Sequence, residues 1–306
     1  MDQACELMNH FCGEEVVFTL PGITLRGERW GDPDGLPVIA LHGWLDNAGS
    51  FDFLAPELKS VNLVALDLAG HGKSDHRPLV AAYNIWLDVA EVLGVAEQLG
   101  WATFGLLGHS RGAMISTILA GAFPEKVSHL ALIEAIVPQP IPPEEAPAQL
   151  ASSINITRTL ARKPQREHAN HESAVVARTH GMTELALEDA RALARRGVEK
   201  RGDGYCWTND YKVMAPSEVK FTREQVEAFI SCLSLEVLIF AGKQGIINSF
   251  HQLDEWLEKY PYLRRIELEG DHHLHMSTNH KAVATYCNTY FKTQPKDLLK
   301  QTAGRQ

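Results

Sequence analysis

Two segments of this 306-residue chain carry side chains whose types and spacing suit acyl transfer. Gly108-His109-Ser110-Arg111-Gly112 sets a serine between two glycines. The apolar run Thr103-Phe104-Gly105-Leu106-Leu107 precedes it and the helix-forming run Ala113-Met114-Ile115-Ser116-Thr117 follows it. A strand, a sharp turn and a helix in that order would hold Ser110 clear of a sheet at a helix N-terminus, with glycines where a side chain would strike backbone. The context, more than the five-residue pattern, separates a nucleophile from a helix-capping serine. A serine hydroxyl is a weak nucleophile and needs a base within hydrogen-bond reach. Gly270-Asp271-His272-His273-Leu274-His275 offers three histidines. His272, at the loop tip, is the expected base, and His273 and His275 are expected to pack or hydrogen-bond beside it. Their i, i+1, i+3 spacing is not the helix-face pair of H-E-x-x-H, and no second carboxylate–histidine group stands out elsewhere, so no metal is expected.

The elements that must position these residues follow from periodicity. Val16–Leu20 and Ile23–Gly27 flank Pro21-Gly22, which predicts an antiparallel hairpin. Short apolar runs at 38–41, 63–66, 103–107, 127–133, 237–241 and 265–268 then alternate with helical patterns at 85–99, 111–122, 249–257 and 280–291. That alternation predicts an α/β fold with a mostly parallel central sheet flanked by helices. The proline-dense Val137-Pro138-Gln139-Pro140-Ile141-Pro142-Pro143 breaks it. Three amphipathic helical stretches (148–160, 172–180 and 185–196) with no strand of their own follow, and they predict a helical lid inserted after the sixth strand. The expected organisation is a core over 1–137, a lid over 138–221, a second core part over 222–292 and a polar tail over 293–306.

Composition bounds the partners. Lys and Arg total 29 against 38 Asp and Glu, a net charge of −9 with no basic patch, which disfavours nucleic acid. No uncharged apolar run is long enough for a membrane span. The acidic start Met1-Asp2-Gln3-Ala4-Cys5-Glu6 lacks the basic residues of a secretory signal, so a cytoplasmic protein is expected. Five scattered cysteines form no C-x-x-C pair and predict neither a disulfide framework nor a zinc knuckle. No dinucleotide G-x-G-x-x-G and no P-loop is present, so no cofactor is expected and a small-molecule substrate is the expected partner.

Four segments carry a resemblance to the α/β-hydrolase superfamily, and over most of the chain to its serine hydrolase-like branch. They are Leu41-His42-Gly43-Trp44-Leu45-Asp46-Asn47, Ala65-Leu66-Asp67-Leu68-Ala69-Gly70-His71-Gly72-Lys73-Ser74, the Ser110 segment and the His272 segment. The resemblance implies an α/β-hydrolase fold and an oxyanion hole built from the backbone N–H of Trp44 and of Arg111, with His42, Gly43, Trp44 and His109 near the substrate. Asp67, His71 and Ser74 are expected to shape a turn. The family's acid most often follows the strand Val237-Leu238-Ile239-Phe240-Ala241-Gly242, but Lys243-Gln244-Gly245 stands there. The serine hydrolase-like branch places it one strand earlier, which here is Glu134; Asp271, Asp210 and Asp254 are rivals. The implied chemistry is hydrolysis of small carboxylic esters through an acyl-enzyme on Ser110. Thioester, lactone or C–C bond hydrolysis, or ligand binding without turnover, would fit the same residues. Serine at the elbow disfavours the aspartate-nucleophile dehalogenase and epoxide hydrolase chemistries. Leu150, Ile154, Ile156 and Leu160 are expected to line an apolar acyl pocket, and the lid's Arg158, Arg162, Arg191, Arg195 and Arg196 to form a solvated face.

Overall fold

The computed structural model describes residues 13–78, 81–181 and 183–294. Cys5, Cys12 and most of the polar tail lie outside them. Among the described residues Cys206, Cys232 and Cys287 are free thiols, and no helix is long and apolar enough to cross a membrane.

The hairpin is β1 (Glu14–Leu20) and β2 (Ile23–Gly31), turned at Gly22 with φ +80°. It is followed by β3 (Leu36–Leu41), β4 (Val61–Asp67), β5 (Phe104–His109) and β6 (Val127–Ile133). Two short strands, β7 (Val198–Arg201) and β8 (Gly204–Trp207), pair only with each other. β9 (Val237–Gly242) and β10 (Leu263–Leu268) complete an eight-stranded sheet in the order β1-β2-β4-β3-β5-β6-β9-β10. The β1–β2 and β2–β4 pairs are antiparallel and the rest are parallel. Register matters for function. Leu41 sits opposite Gly108, Gly108 opposite Leu132, and Ile133 opposite Phe240, so the residues following β3, β5, β6 and β9 emerge along one edge, where open α/β sheets place their ligands.

The helices are α1 (Ile85–Gln98), α2 (Arg111–Ala122), α3 (Ala146–Leu160), α4 (His171–Thr179), α5 (Leu187–Gly197), α6 (Arg223–Ser231), α7 (Gln252–Lys259) and α8 (His280–Tyr290). Alternate strand residues feed two buried layers, as the pleat requires. Ile39, Leu41, Leu106 and Leu132 pack against α1, α2, α6 and α7, whereas Val38, Ala40, Leu107 and Ile133 pack against α8 and the 3-10 turns after β3. Asn84 caps α1 through Leu87 N–H, and Thr222 and Gln225 form a capping box on α6. That Thr-x-x-Gln signal was readable in the sequence, though α6 was not among the expected helices.

Between β6 and β9 the structure corrects three expectations. The insertion does contain strands, because Gly202, at φ +57°, closes a two-residue turn between β7 and β8. Helix α3 turns its polar side inward: Ser153 and Thr157 are buried, while Leu150, Ile154 and Ile156 are exposed. Finally, α5 is no solvated face. Arg195 reaches Glu28 at 2.5 Å and Asp52 at 2.7 Å. Arg196, fully buried, reaches Asp67 at 2.7 Å and Glu15 at 2.7 Å. The expectation holds better for Arg191, an exposed partner of Glu172.

Candidate active site

Ser110 follows β5 and caps α2 in a strained backbone (φ 49°, ψ −112°). The flanking glycines are steric necessities: a Cβ on Gly112 would come 2.0 Å from the Leu41 carbonyl oxygen, and one on Gly108 2.5 Å from that of Gly112. Among the described residues, four non-glycine residues have positive φ: Leu45, Ser60, Ser110 and Glu134. Three of them, Leu45, Ser110 and Glu134, line one cavity of about 460 Å³, together with His272. Such strain persists where the surrounding structure over-determines it, commonly at functional sites.

Glu134 follows β6, its N–H bonded to the Phe240 carbonyl at 2.9 Å. Its carboxylate accepts the N–H groups of Gly242 (2.7 Å) and Ile247 (3.2 Å), and His272 Nδ1 stands 3.3 Å from Oε2. The side chain thus crosses into the space beyond β9. A Cβ on Gly245 would fall 2.0 Å from Oε1, so the missing acid in Lys243-Gln244-Gly245 is the clearance for an acid arriving from the neighbouring strand. The rivals are engaged elsewhere: Asp271 accepts the His273 N–H, Asp210 the Tyr83 hydroxyl, and Asp254 stands 3.5 Å from Arg265.

Trp44 lines the cavity beside Leu45 and Asp46, and its indole N–H donates to the Val213 carbonyl. Arg111 opens α2, where the first backbone N–H groups have no intrahelical acceptor. Its guanidinium is held by Asp88 of α1. Among the described residues no backbone carbonyl takes the N–H of Trp44 or Arg111.

His42, Gly43 and His109 do not form the wall; they lie beneath it. His42 accepts the Leu68 N–H at Nε2 and donates from Nδ1 to the Gly43 carbonyl. A Cβ on Gly43 would strike the His109 ring at 2.7 Å. Asp67 accepts the N–H groups of Ala48 and Lys73, and the Ser74 hydroxyl donates to its carbonyl, so these residues tie the turns after β3 and β4.

A second carboxylate–histidine group, not foreseen from the sequence, adjoins the first. Asp46 is buried, with His273 Nε2 at 3.3 Å and His109 Nδ1 at 3.5 Å from Oδ2, and with Arg178 Nη2 at 2.9 Å from Oδ1. Burial alone would raise the Asp46 carboxyl, but His273 and Arg178 hold it well below the usual carboxylate range. His109 donates from Nε2 to the His272 carbonyl at 2.9 Å, and burial pushes it down to about 3, which keeps it neutral. Burial likewise holds His275 well below the usual histidine range. Asp46, His109 and His273 offer three ligand atoms within 4.8 Å of one another, yet the Arg178 guanidinium already balances the one carboxylate. Residues 46, 109, 178 and 273 come from four separate segments, so no local pattern could have grouped them.

The cavity wall also differs from expectation. Leu150, Ile154, Ile156 and Leu160 of α3 are absent from it; Ala177 and Arg178 of α4, Trp207 of β8 and the segment Gln165–His168 contribute instead. The cause is the inverted polarity of α3.

Known proteins share this fold. The profile of the alpha/beta hydrolase fold matches residues 37–277. A "Serine hydrolase-like protein" of Danio rerio is 28% identical over 95% of this chain and 92% of its own length. The crystal structure of a hypothetical protein from Pseudomonas aeruginosa PAO1 is 42% identical, covering 90% of this chain and 97% of that one with a TM-score of 0.85. A thioesterase domain from the curacin biosynthetic pathway, 24% identical with a TM-score of 0.77 over 92% of this chain and 99% of that one, shares the fold.

Proposed function

The chain belongs to the α/β-hydrolase fold family, and from that premise we propose that it is a serine hydrolase that cleaves small carboxylic esters through an acyl-enzyme on Ser110. The observation that carries this reading is the meeting of His272 Nδ1 with Glu134 Oε2 at 3.3 Å in the wall of the cavity that also holds Ser110. Glu134 accepts the Nδ1–H of His272 and so fixes the tautomer that leaves Nε2 as a base. Ser110 Oγ attacks the ester carbonyl as His272 takes its proton, and the tetrahedral oxyanion is met by the backbone N–H groups of Trp44 and Arg111. Each such donor is worth about 3 kcal/mol in comparable sites. His272 then returns the proton to the departing alcohol, and a water repeats the sequence on the acyl-enzyme. Two backbone N–H groups hold the Glu134 carboxylate aimed at Nδ1, so that the imidazolium formed in each half-reaction has a fixed partner. The insertion from α3 to β8 acts as the lid over this site.

The test is steady-state hydrolysis of p-nitrophenyl esters from acetyl to decanoyl by the wild type, Ser110→Ala and Glu134→Ala. Sustained turnover that vanishes in Ser110→Ala and falls steeply in Glu134→Ala is expected. Turnover no greater in the wild type than in Ser110→Ala on every ester would overturn the ester hydrolase reading and favour ligand binding without turnover.

A further inference from the structure

Building on the serine hydrolase reading, we propose that Arg178 selects the acyl group, and that the substrates are esters whose acyl chain ends in a carboxylate. Arg178 lies on α4 in the wall of the cavity that holds Ser110 and His272, its side chain only 13% exposed. A guanidinium carries five N–H donors. One nitrogen, Nη2, serves Asp46. Among the described residues no acceptor meets Nη1; Nε also lacks a partner but is closed off from the cavity, so Nη1 is the donor a ligand would complete. A donor left unmet in a low-dielectric wall is costly unless a ligand completes it. Asp46 balances the charge of the guanidinium but occupies only its Nη2, the second carboxylate oxygen facing His273.

Gly181 adds a second observation. A Cβ there would come 2.9 Å from Arg178 Nη1. Its backbone is outside the left-handed region, so the turn itself does not call for glycine. What the absent side chain supplies is room for the guanidinium head. Arg166, exposed on the same wall, has no carboxylate within 4.0 Å among the described residues and adds positive potential at the rim. The two acids in the wall are already engaged, Asp46 by Arg178 and His273, Glu134 by Gly242, Ile247 and His272. Neither confronts an incoming anion with an unpaired charge. Trp44, Met114, Trp207 and Met214 give part of the wall an apolar surface suited to a methylene chain. A carboxylate is the ligand a guanidinium fork binds best, and a dry cavity strengthens the pair.

The experiment compares monomethyl esters of the C4 to C8 dicarboxylic acids with methyl esters of the matching monocarboxylic acids, followed by pH-stat. The wild type is expected to favour an acidic ester at least tenfold in kcat/KM. Arg178→Gln is expected to lower that acidic-to-neutral ratio at least tenfold, chiefly through KM, and Arg178→Lys to keep part of it. Gly181→Ala, whose Cβ would fall 2.9 Å from Nη1 and push the guanidinium head aside, should lower the ratio in the same direction even if Arg178→Gln fails to fold. Equal kcat/KM for both ester series in the wild type, or an unchanged ratio in the folded variants, would overturn the proposal while leaving the hydrolase reading intact. If neither series turns over, protection of Ser110 from a fluorophosphonate by free adipate and by hexanoate gives the answer. Protection by adipate alone supports the assignment; equal or absent protection overturns it. If the fluorophosphonate does not label Ser110 at all, the serine hydrolase reading has failed, and a thermal shift with adipate that Arg178→Gln abolishes still reports the anion site, its absence overturning it.

Discussion

His272 and His273 are neighbours in the chain, each faces a carboxylate at 3.3 Å, and their surroundings separate them. Glu134, which faces His272, is held by backbone N–H groups in a strained loop, and the histidine stays 13% exposed in the cavity wall. Asp46, which faces His273, is locked by Arg178, and the His273 Nδ1 is buried without a partner. In the proposed reaction the first pair passes a proton to a ligand. The second is built to hold the loop after β3 against the loop after β10. Residue type and distance alone do not tell a base from a brace; what the remaining ring nitrogen can reach does.

The sharpest way to break this contrast is Glu134→Gln, which should cut kcat about 10³ to 10⁴-fold with the fold retained, as losing the orienting carboxylate does in comparable triads. Circular dichroism melts alongside burst and steady-state kinetics would show both halves. Asp46→Asn should behave oppositely, leaving Arg178 without its counter-charge in a buried site at about 3 to 5 kcal/mol of stability. Urea denaturation measures that. A folded, inactive Asp46→Asn beside an active Glu134→Gln would reverse the two roles. Gly245→Ala probes clearance: its Cβ would fall 2.0 Å from Glu134 Oε1, and displacing the carboxylate by such a distance should cost about 10²-fold in kcat. The last effect is spread over pH. His42, His71, His109 and His275 are buried and all lie below the usual histidine value of 6.5, His109 at about 3. Below pH 6.5 the unfolded chain therefore binds more protons than the folded one, so stability falls on acidification through the window from 6.5 towards 3. Each such group contributes up to about 1.4 kcal/mol per pH unit. Melting temperatures from pH 7.5 to 5 that stay flat would contradict the buried, neutral histidines.

Much of this was legible in the sequence wherever information is local. The strand, Gly-x-Ser-x-Gly and helix around Ser110 are contiguous, so their geometry is written in about twenty residues. Glu134 was expected because the usual acid position is vacant and the branch that the chain resembles places the acid one strand earlier; the structure brings its carboxylate 3.3 Å from His272 Nδ1 and explains Gly245 as the clearance. The β6 strand and α2 helix fall where periodicity puts them. Periodicity also finds the two faces of α3, but it cannot say which face meets the core, and there the expectation inverted. Arg195 and Arg196 followed the same logic in reverse: charge on a helix reads as solvent until acids from β1, β2, β4 and the turn after β3 are folded around it.

Those two arginines divide the insertion. Helix α5 shares its fate with the sheet, because Glu15, Glu28 and Asp67 belong to β1, β2 and β4 and cannot part from Arg196 without opening the β1–β2–β4 edge. Among the described residues no such ion pair ties α3 to the sheet. In native-state hydrogen exchange the amides of α5 should open only with the global transition, whereas those of α3 should open in a separate, cheaper event. The segment between β6 and β9 is then expected to behave as two cooperative units, one that unfolds with the sheet and one that opens apart from it.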